Sequence, residues 1–273
     1  MSEHGYDDRL RVRLIECVRK EYITPNFLRV TFSCDELRDF PPDRNGGLIK
    51  LFFANRKTGQ LELPWRDGDR ICWPENKPVS RAYTVRKYRP ESNELDIDFV
   101  AHGSESPGSG WAMSCQPGDV IGLAGPGGPD VLLPAADWHV LAGDLSALPA
   151  ISAILEELPE DAKGHALIEI DIAEDEHPLI HPEGVEVLWL VRAPSQDPLP
   201  LATALSKIAP PIGVSSISAF VAGENASVIA CRNKLVADYQ LSKKNLYAIP
   251  YWKRGNNEET YHEERHVIMD EEY

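Results

Sequence analysis

Leu133-Pro134-Ala135-Ala136-Asp137-Trp138-His139-Val140-Leu141-Ala142-Gly143-Asp144 divides the chain into two halves that keep different rhythms. Before it, from residue 10 to about 133, apolar residues recur at nearly every second position: Val12 and Leu14, then Leu28, Val30 and Phe32, then Leu95, Ile97 and Phe99. Successive side chains of a strand point to opposite faces, so this period marks half-buried antiparallel strands. Phe40-Pro41-Pro42, Asn45-Gly46-Gly47, Asp67-Gly68-Asp69 and Pro117-Gly118-Asp119 punctuate them as turns. Many short strands broken in this way predict a closed barrel or a sandwich.

After Pro134 the pattern changes. Short apolar runs at 138–142, 166–170, 185–191, 217–222 and 246–251 read as strands, and helical spacing falls at 147–158, 199–208 and 226–239. Strands interleaved with helices predict an α/β doubly wound parallel sheet. The expected organisation is an antiparallel β-barrel domain over 1–135, an α/β domain over 136–255 and an acidic helical tail over 256–273.

Composition narrows the function. The 273 residues suffice for two domains, and 42% hydrophobic with 26% charged residues is ordinary for a globular protein. No apolar run has the length of a membrane-spanning helix. Met1 to Asp8 is acidic and lacks the apolar core of a secretory signal, which places the protein in the cytoplasm. Cys17, Cys34, Cys72, Cys115 and Cys231 are scattered, odd in number and free of any CxxC pair. That pattern fits reduced thiols and argues against disulfides, a zinc site or an iron–sulfur cluster. A net charge of −15 argues against non-specific binding to nucleic acid or to an anionic membrane. A local basic pocket can still attract an anion, because charges are screened beyond about 8 Å.

Arg81-Ala82-Tyr83-Thr84 carries the most chemistry in the fewest residues. In an extended segment Arg81 and Tyr83 share one face and Thr84 takes the other. A guanidinium fork suits a pyrophosphate, a phenol suits a flat conjugated ring, and a short hydroxyl suits a ring nitrogen that gains and loses a proton. An ordinary amphipathic strand reads the same way. Asp98-Phe99-Val100-Ala101-His102-Gly103 ends a strand and leads into Ser106-Pro107-Gly108-Ser109-Gly110-Trp111-Ala112, the entrance of a helix whose small residues and free N–H groups suit phosphate. A plain helix start with Ser109 as N-cap is the alternative. His102 reads as a structural hydrogen-bonder, and Gly122 to Pro129 as a tight interdomain turn.

In the second half, Gly143-Asp144-Leu145-Ser146 forms the first strand-to-helix turn, where dinucleotides bind such sheets, although no GxGxxG fingerprint is present. Gly223-Glu224 makes a second such turn. Tyr251-Trp252-Lys253-Arg254 sets two aromatics, fit to cover a cofactor ring or to fill the core, beside two cations. Walker, HExxH, GxSxG and paired-carboxylate motifs are missing from the sequence, so hydrolase and kinase chemistry lose their usual supports.

These motifs, in this order, resemble the siderophore-interacting protein family, flavin-dependent ferric-siderophore reductases with a ferredoxin-reductase-like fold. The resemblance rests on Arg-x-Tyr-Thr at 81–84, Asp-Phe-Val-x-His-Gly at 98–103, Pro-x-Ser-x-Trp-Ala at 107–112, Ala-Gly-Asp-x-Ser-Ala-Leu-Pro-Ala at 142–150 and Tyr-Trp at 251–252. It implies that the barrel binds FAD, with Arg81 on the phosphates, Tyr83 against the isoalloxazine and Thr84 at its reactive edge. Ala82, Asp98, Val100, His102, Gly108, Ser109, Gly110, Trp111 and Ala112 complete that implied site. It further implies NADH or NADPH at Gly143, Asp144, Ser146, Gly223 and Glu224, and a ferric siderophore or other ferric chelate as substrate. Lys253 and Arg254 are the candidate cations for that substrate. No side chain is assigned acid or base chemistry, and no resident metal is implied. Gly108 and Gly110 stand where relatives often carry Ala and Arg, Leu145 where an acid is frequent, and Ser146 where Thr is usual. A general NAD(P)H-flavin or ferredoxin-type reductase, and a ferric-chelate binding protein without catalysis, are the competing readings. NADH against NADPH, and monomer against dimer, stay open at this point.

Overall fold

The computed structural model describes residues 11–68, 70–193 and 197–256, together with Tyr261 and Ile268. The expected tail helix lies outside the described residues apart from Asn256, Tyr261 and Ile268. The chain forms two compact units, Met1–Asp130 and Val131–Tyr273. No helix among the described residues is long and apolar enough to cross a membrane, and all five cysteines are free thiols.

In the first unit the strands are β1 (Val12–Thr24), β2 (Phe27–Ser33), β3 (Leu48–Phe53), β4 (Trp65–Asp67), β5 (Arg70–Cys72), β6 (Val79–Thr84), β7 (Lys87–Arg89), β8 (Glu94–Val100) and β9 (Val120–Gly127), with α1 (Pro107–Ser114) between the last two. Seven of them form one antiparallel sheet in the order β6-β3-β9-β1-β2-β8-β7, while β4 and β5 pair as a separate hairpin. The alternation does what it promised. Leu28, Val30 and Phe32, Ile49, Leu51 and Phe53, and Leu95, Ile97 and Phe99 meet in one buried core with Ala112 of α1. The sheet curls until β6, at one edge, lies beside β8. Arg86 N donates to Asp96 O at 3.0 Å just after β6, so the barrel-like wall is joined there without a strand ladder among the described residues.

The other face of β8 is a row of carboxylates, Glu94, Asp96 and Asp98, and all three meet arginine. Arg19 lies 2.6 Å from Glu94, Arg89 2.6 Å from Asp96 and Arg29 2.7 Å from Asp98. Asp96 and Asp98 are buried, which a carboxylate tolerates only when it is paired and hydrogen-bonded. Burial would raise the Asp96 pKa, but hydrogen bonds from Arg89 and Thr31 outweigh it and the carboxyl stays below its ordinary range. Gly122 to Pro129, expected as an interdomain turn, instead belongs to β9 as far as Gly127. The bare Gly122 backbone makes room for the Leu63 side chain, which would lie 2.3 Å from an added Cβ.

The second unit runs β10 (Trp138–Asp144), α2 (Leu148–Glu157), β11 (Gly164–Ile170), β12 (Val185–Val191), α3 (Pro200–Leu205), β13 (Ile217–Glu224), α4 (Asn225–Tyr239) and β14 (Leu246–Trp252). The sheet is parallel throughout, in the order β12-β11-β10-β13-β14. Ile151 of α2 packs with Leu141 and Phe220 on one face. Leu201 and Leu205 of α3 and Val228 and Leu235 of α4 pack with Val140, Leu167 and Val221 on the other. Strand order reverses between β10 and β13, the point at which such sheets open a crevice at their carboxyl ends. Gly143-Asp144 and Gly223-Glu224 end those two strands.

Candidate functional site

In the first unit, register decides where the side chains of β6 point. Arg81 pairs with Leu51 and Tyr83 with Ile49, both core residues, so Arg81 and Tyr83 share the inward face. Ala82 and Thr84, paired with Lys50 and Leu48, take the other face, where Thr84 is buried. The Tyr83 ring lies 4.6 Å from Phe99 and 6.5 Å from Phe53, and Trp111 of α1 stands 6.4 Å from Phe99. These rings fix the half-buried Tyr83 at the rim of the core. Arg81 Nη1 donates to Ser80 O at 2.8 Å.

Helix α1 borders this rim. Its N-cap is Ser106, not Ser109, because Pro107 takes the first helical position, and no side chain caps it. Among the described residues, the N–H groups of the first turn therefore have no capping side chain. Ser109 is buried inside the helix, where its Oγ accepts from His102 N at 3.0 Å. His102 Nδ1 lies 2.9 Å from Val100 O, a structural contact at an exposed ring. Gly108 is not open backbone: a Cβ there would sit 1.8 Å from Tyr83 Oη, so glycine is what lets the phenol lie against α1. Gly110 likewise admits Ser104 O, 2.1 Å from its missing Cβ. Ala112 belongs to the core, and the Asp98 carboxylate is held by Arg29 through two bonds of 2.7 and 2.8 Å. An uncapped helix N-terminus, a guanidinium and a rim aromatic suit a ligand that joins a phosphate to a flat ring. Burial pushes the Cys115 thiol, behind α1, up to about 12, so it stays protonated.

In the second unit Asp144 organises the crevice. Its Oδ1 accepts from Ser146 N at 2.9 Å and Ser146 Oγ at 2.5 Å, and its Oδ2 from Glu224 N at 2.9 Å and Trp252 Nε1 at 2.8 Å. One buried carboxylate thus ties together the ends of β10, β13 and β14. Gly143 and Gly223 make this possible. An added Cβ would lie 2.6 Å from Ala147 Cβ at Gly143, and 2.7 Å from Asp144 Oδ2 at Gly223, whose φ is +127°. Glu224 caps α4 through Ala226 N (2.7 Å) and Ser227 N (3.3 Å) and accepts from Arg254 N at 3.2 Å. Lys253 is half-buried and the Arg254 side chain is exposed.

Gly143, Asp144, Ser146, Gly223 and Glu224, expected to line one nucleotide site, do come together at the ends of two adjacent strands. The structure shows that the two carboxylates hold the turns themselves. Trp252 joins them through a bond spanning 108 positions, which no local pattern reveals. Glu169, beside Asp144 in the register of β11, and Arg192 were also missed. Burial raises the Glu169 pKa, Arg192 at 2.5 Å opposes this, and Asp144 and Asp171 add to it.

An antiparallel barrel-like domain followed by a parallel sheet of this order is the ferredoxin-reductase-like fold. Residues 16–130 match the model of the siderophore-interacting FAD-binding domain and residues 136–255 that of the siderophore-interacting protein. The chain belongs to the siderophore-interacting protein family. It is 57% identical to ferric vibriobactin reductase ViuB of Vibrio cholerae over 97% of this chain and 98% of that protein. It is 32% identical to the NADPH-dependent ferric-chelate reductase of Escherichia coli over 66% of this chain and 72% of the other. The crystal structure of the siderophore-interacting protein SipS from Aeromonas hydrophila matches with a TM-score of 0.84 at 33% identity, over 96% of this chain and 99% of that one.

Proposed function

We propose that the protein is an NAD(P)H-dependent ferric-siderophore reductase that releases iron as Fe(II). The observation that carries this reading is the shared inward face of Arg81 and Tyr83 beside the uncapped α1, in a chain whose first half matches an FAD-binding domain. Support comes from the names of the relatives, a ferric vibriobactin reductase and an NADPH-dependent ferric-chelate reductase. Bound FAD would supply a carrier that takes two electrons from a nicotinamide and returns them singly. Overall, one NAD(P)H reduces two ferric ions, and NAD(P)⁺ and one proton are left. Oxygen ligands hold the resulting Fe(II) more weakly than Fe(III), which favours release.

The chain's own work is positioning. Arg81 and the first-turn N–H groups of α1 bind the FAD phosphates, Tyr83 flanks the ring, and Thr84 offers its hydroxyl at the ring edge. Ala82, Val100, His102, Gly108, Ser109, Gly110 and Trp111 border them, while Asp98 and Ala112 support that wall from behind, Asp98 through Arg29 and Ala112 within the core. In the α/β domain (136–255) the turns at Gly143-Asp144-Ser146 and Gly223-Glu224 bind NADH or NADPH, and Lys253 and Arg254 steer the anionic chelate. Five free thiols suit a cytoplasmic location.

The test is steady-state turnover with a colorimetric Fe(II) trap. NAD(P)H oxidation should rise on adding ferric siderophore, with two Fe(II) trapped per nucleotide. Oxidation indifferent to the chelate points to a general flavin reductase. Protein that binds the chelate but takes up no flavin is a binding protein, and either result overturns the proposal.

A further inference from the structure

The geometry points to Tyr261 as a positioning residue for the Glu224–Asn225 turn, a role that rests on the reading of that turn as part of the nucleotide site. Tyr261 comes from the segment after the last strand, yet its side chain is among the largest fully buried ones, at 2% exposure. Its Oη donates to Asn225 Oδ1 at 2.8 Å. Asn225 opens α4 and is itself buried, but it does not cap the helix, because Glu224 does. An asparagine side chain buried at this position needs partners, and the Tyr261 hydroxyl is one of them.

A second attachment lies further along the same helix. Arg232, also buried, donates from Nη1 to Ile268 O at 3.2 Å. The two anchors are spaced equally on both segments, 225 to 232 on α4 and 261 to 268 after it. The hydrogen bond of Tyr261 therefore joins a continuous set. Asn225 follows Glu224 in the chain, Glu224 N donates to Asp144, and Asp144 also holds Ser146 and Trp252. With the first residue of α4 fixed, the Glu224 carboxylate stays on the first turn of the helix and on Arg254 N. Tyr261 thus holds the turn in the form that receives the nucleotide, without touching the nucleotide.

The test compares the full chain with Tyr261→Phe, which keeps the ring and loses only the hydroxyl, with Asn225→Ala, and with the double variant. NADP⁺ and NAD⁺ binding is read by tryptophan fluorescence or calorimetry, alongside flavin absorbance and melting temperature. Each single variant should weaken nucleotide binding about three- to tenfold, the weight of one buried neutral hydrogen bond. The double variant should be no weaker than Asn225→Ala alone, since both changes break one bond. Flavin content should not change in either variant, and kcat at saturating nucleotide should not change in Tyr261→Phe. Wild-type affinity in Tyr261→Phe, or in Asn225→Ala should the first variant not fold, overturns the inference. So does an additive loss in the double variant. Wild-type protein that binds neither nucleotide instead sinks the reading of the cleft, and the inference with it.

Discussion

Replacing Asp144 with asparagine puts the crevice of the second unit to its sharpest test. The carboxylate accepts four hydrogen bonds, two on each oxygen, from Ser146 N, Ser146 Oγ, Glu224 N and Trp252 Nε1. An asparagine amide can accept on one side only. Facing its NH₂ toward Glu224 N and Trp252 Nε1 would set donor against donor at two rigid groups. Facing it toward Ser146 costs less, because the hydroxyl can rotate to accept, and only the bond from Ser146 N is lost outright. Bonds to a charged acceptor contribute roughly 1.5 to 3 kcal/mol, and neutral ones about 1. One bond lost and three weakened therefore sum to about 3 kcal/mol at the low end of these values, with little screening because Asp144 is only 5% exposed. At roughly 2 to 4 °C per kcal/mol for a domain of this size, the melting transition of the second unit should fall by about 10 °C. Calorimetry measures the fall, flavin absorbance reports separately on the first unit, and the KM for NAD(P)H should rise. A shift below about 3 °C with an unchanged KM would refute Asp144 as the organiser.

Arg81→Ala should weaken flavin retention by roughly 10- to 150-fold, the loss of one charge-assisted bond, seen as flavin lost on gel filtration; unchanged occupancy removes the phosphate role. Gly143→Ala forces a Cβ to 2.7 Å from the Ala222 carbonyl, which cannot yield as a side chain could. It should cost about 1 to 3 kcal/mol of stability in chemical denaturation. Hydrogen bonds from Arg19, with help from Arg89, hold the Glu94 carboxyl down at about 2. A depressed carboxylate contributes stability above its unfolded pKa of about 4.3 and loses it as pH falls toward its folded value. The stability difference between wild type and Arg19→Ala should thus be constant above about pH 5 and vanish near pH 2. It should stay below about 1 kcal/mol, because Arg19 is exposed. A difference independent of pH contradicts the pairing.

Local regularities were open to reading in the sequence. Leu28, Val30 and Phe32 announce a strand with one buried face, and the alternation of 138–142 with 147–158 announces a parallel sheet, since both depend on neighbours in the chain. Partnerships across the chain were hidden. Glu94, Asp96 and Asp98 look like the wet face of a strand, and only the arrival of Arg19, Arg29 and Arg89 pairs that face and lets Asp96 and Asp98 be buried. Gly108 reads as open backbone until Tyr83 is seen to lie against it. Asp144 gives no local sign that Glu224 and Trp252 arrive from two later strands to meet it. Arg81 and Tyr83 were correctly assigned to a common face because strand geometry alone fixes that.

In the proposed function, electrons pass from a nicotinamide nucleotide, through a flavin held at Arg81 and Tyr83, to a ferric chelate. Anaerobic visible spectroscopy of the purified protein tests it most directly. The expected result is a flavin spectrum near one equivalent per chain, bleached by one NAD(P)H and restored by two equivalents of ferric siderophore, with two Fe(II) trapped. A flavin that NAD(P)H bleaches but the ferric siderophore leaves bleached would contradict it.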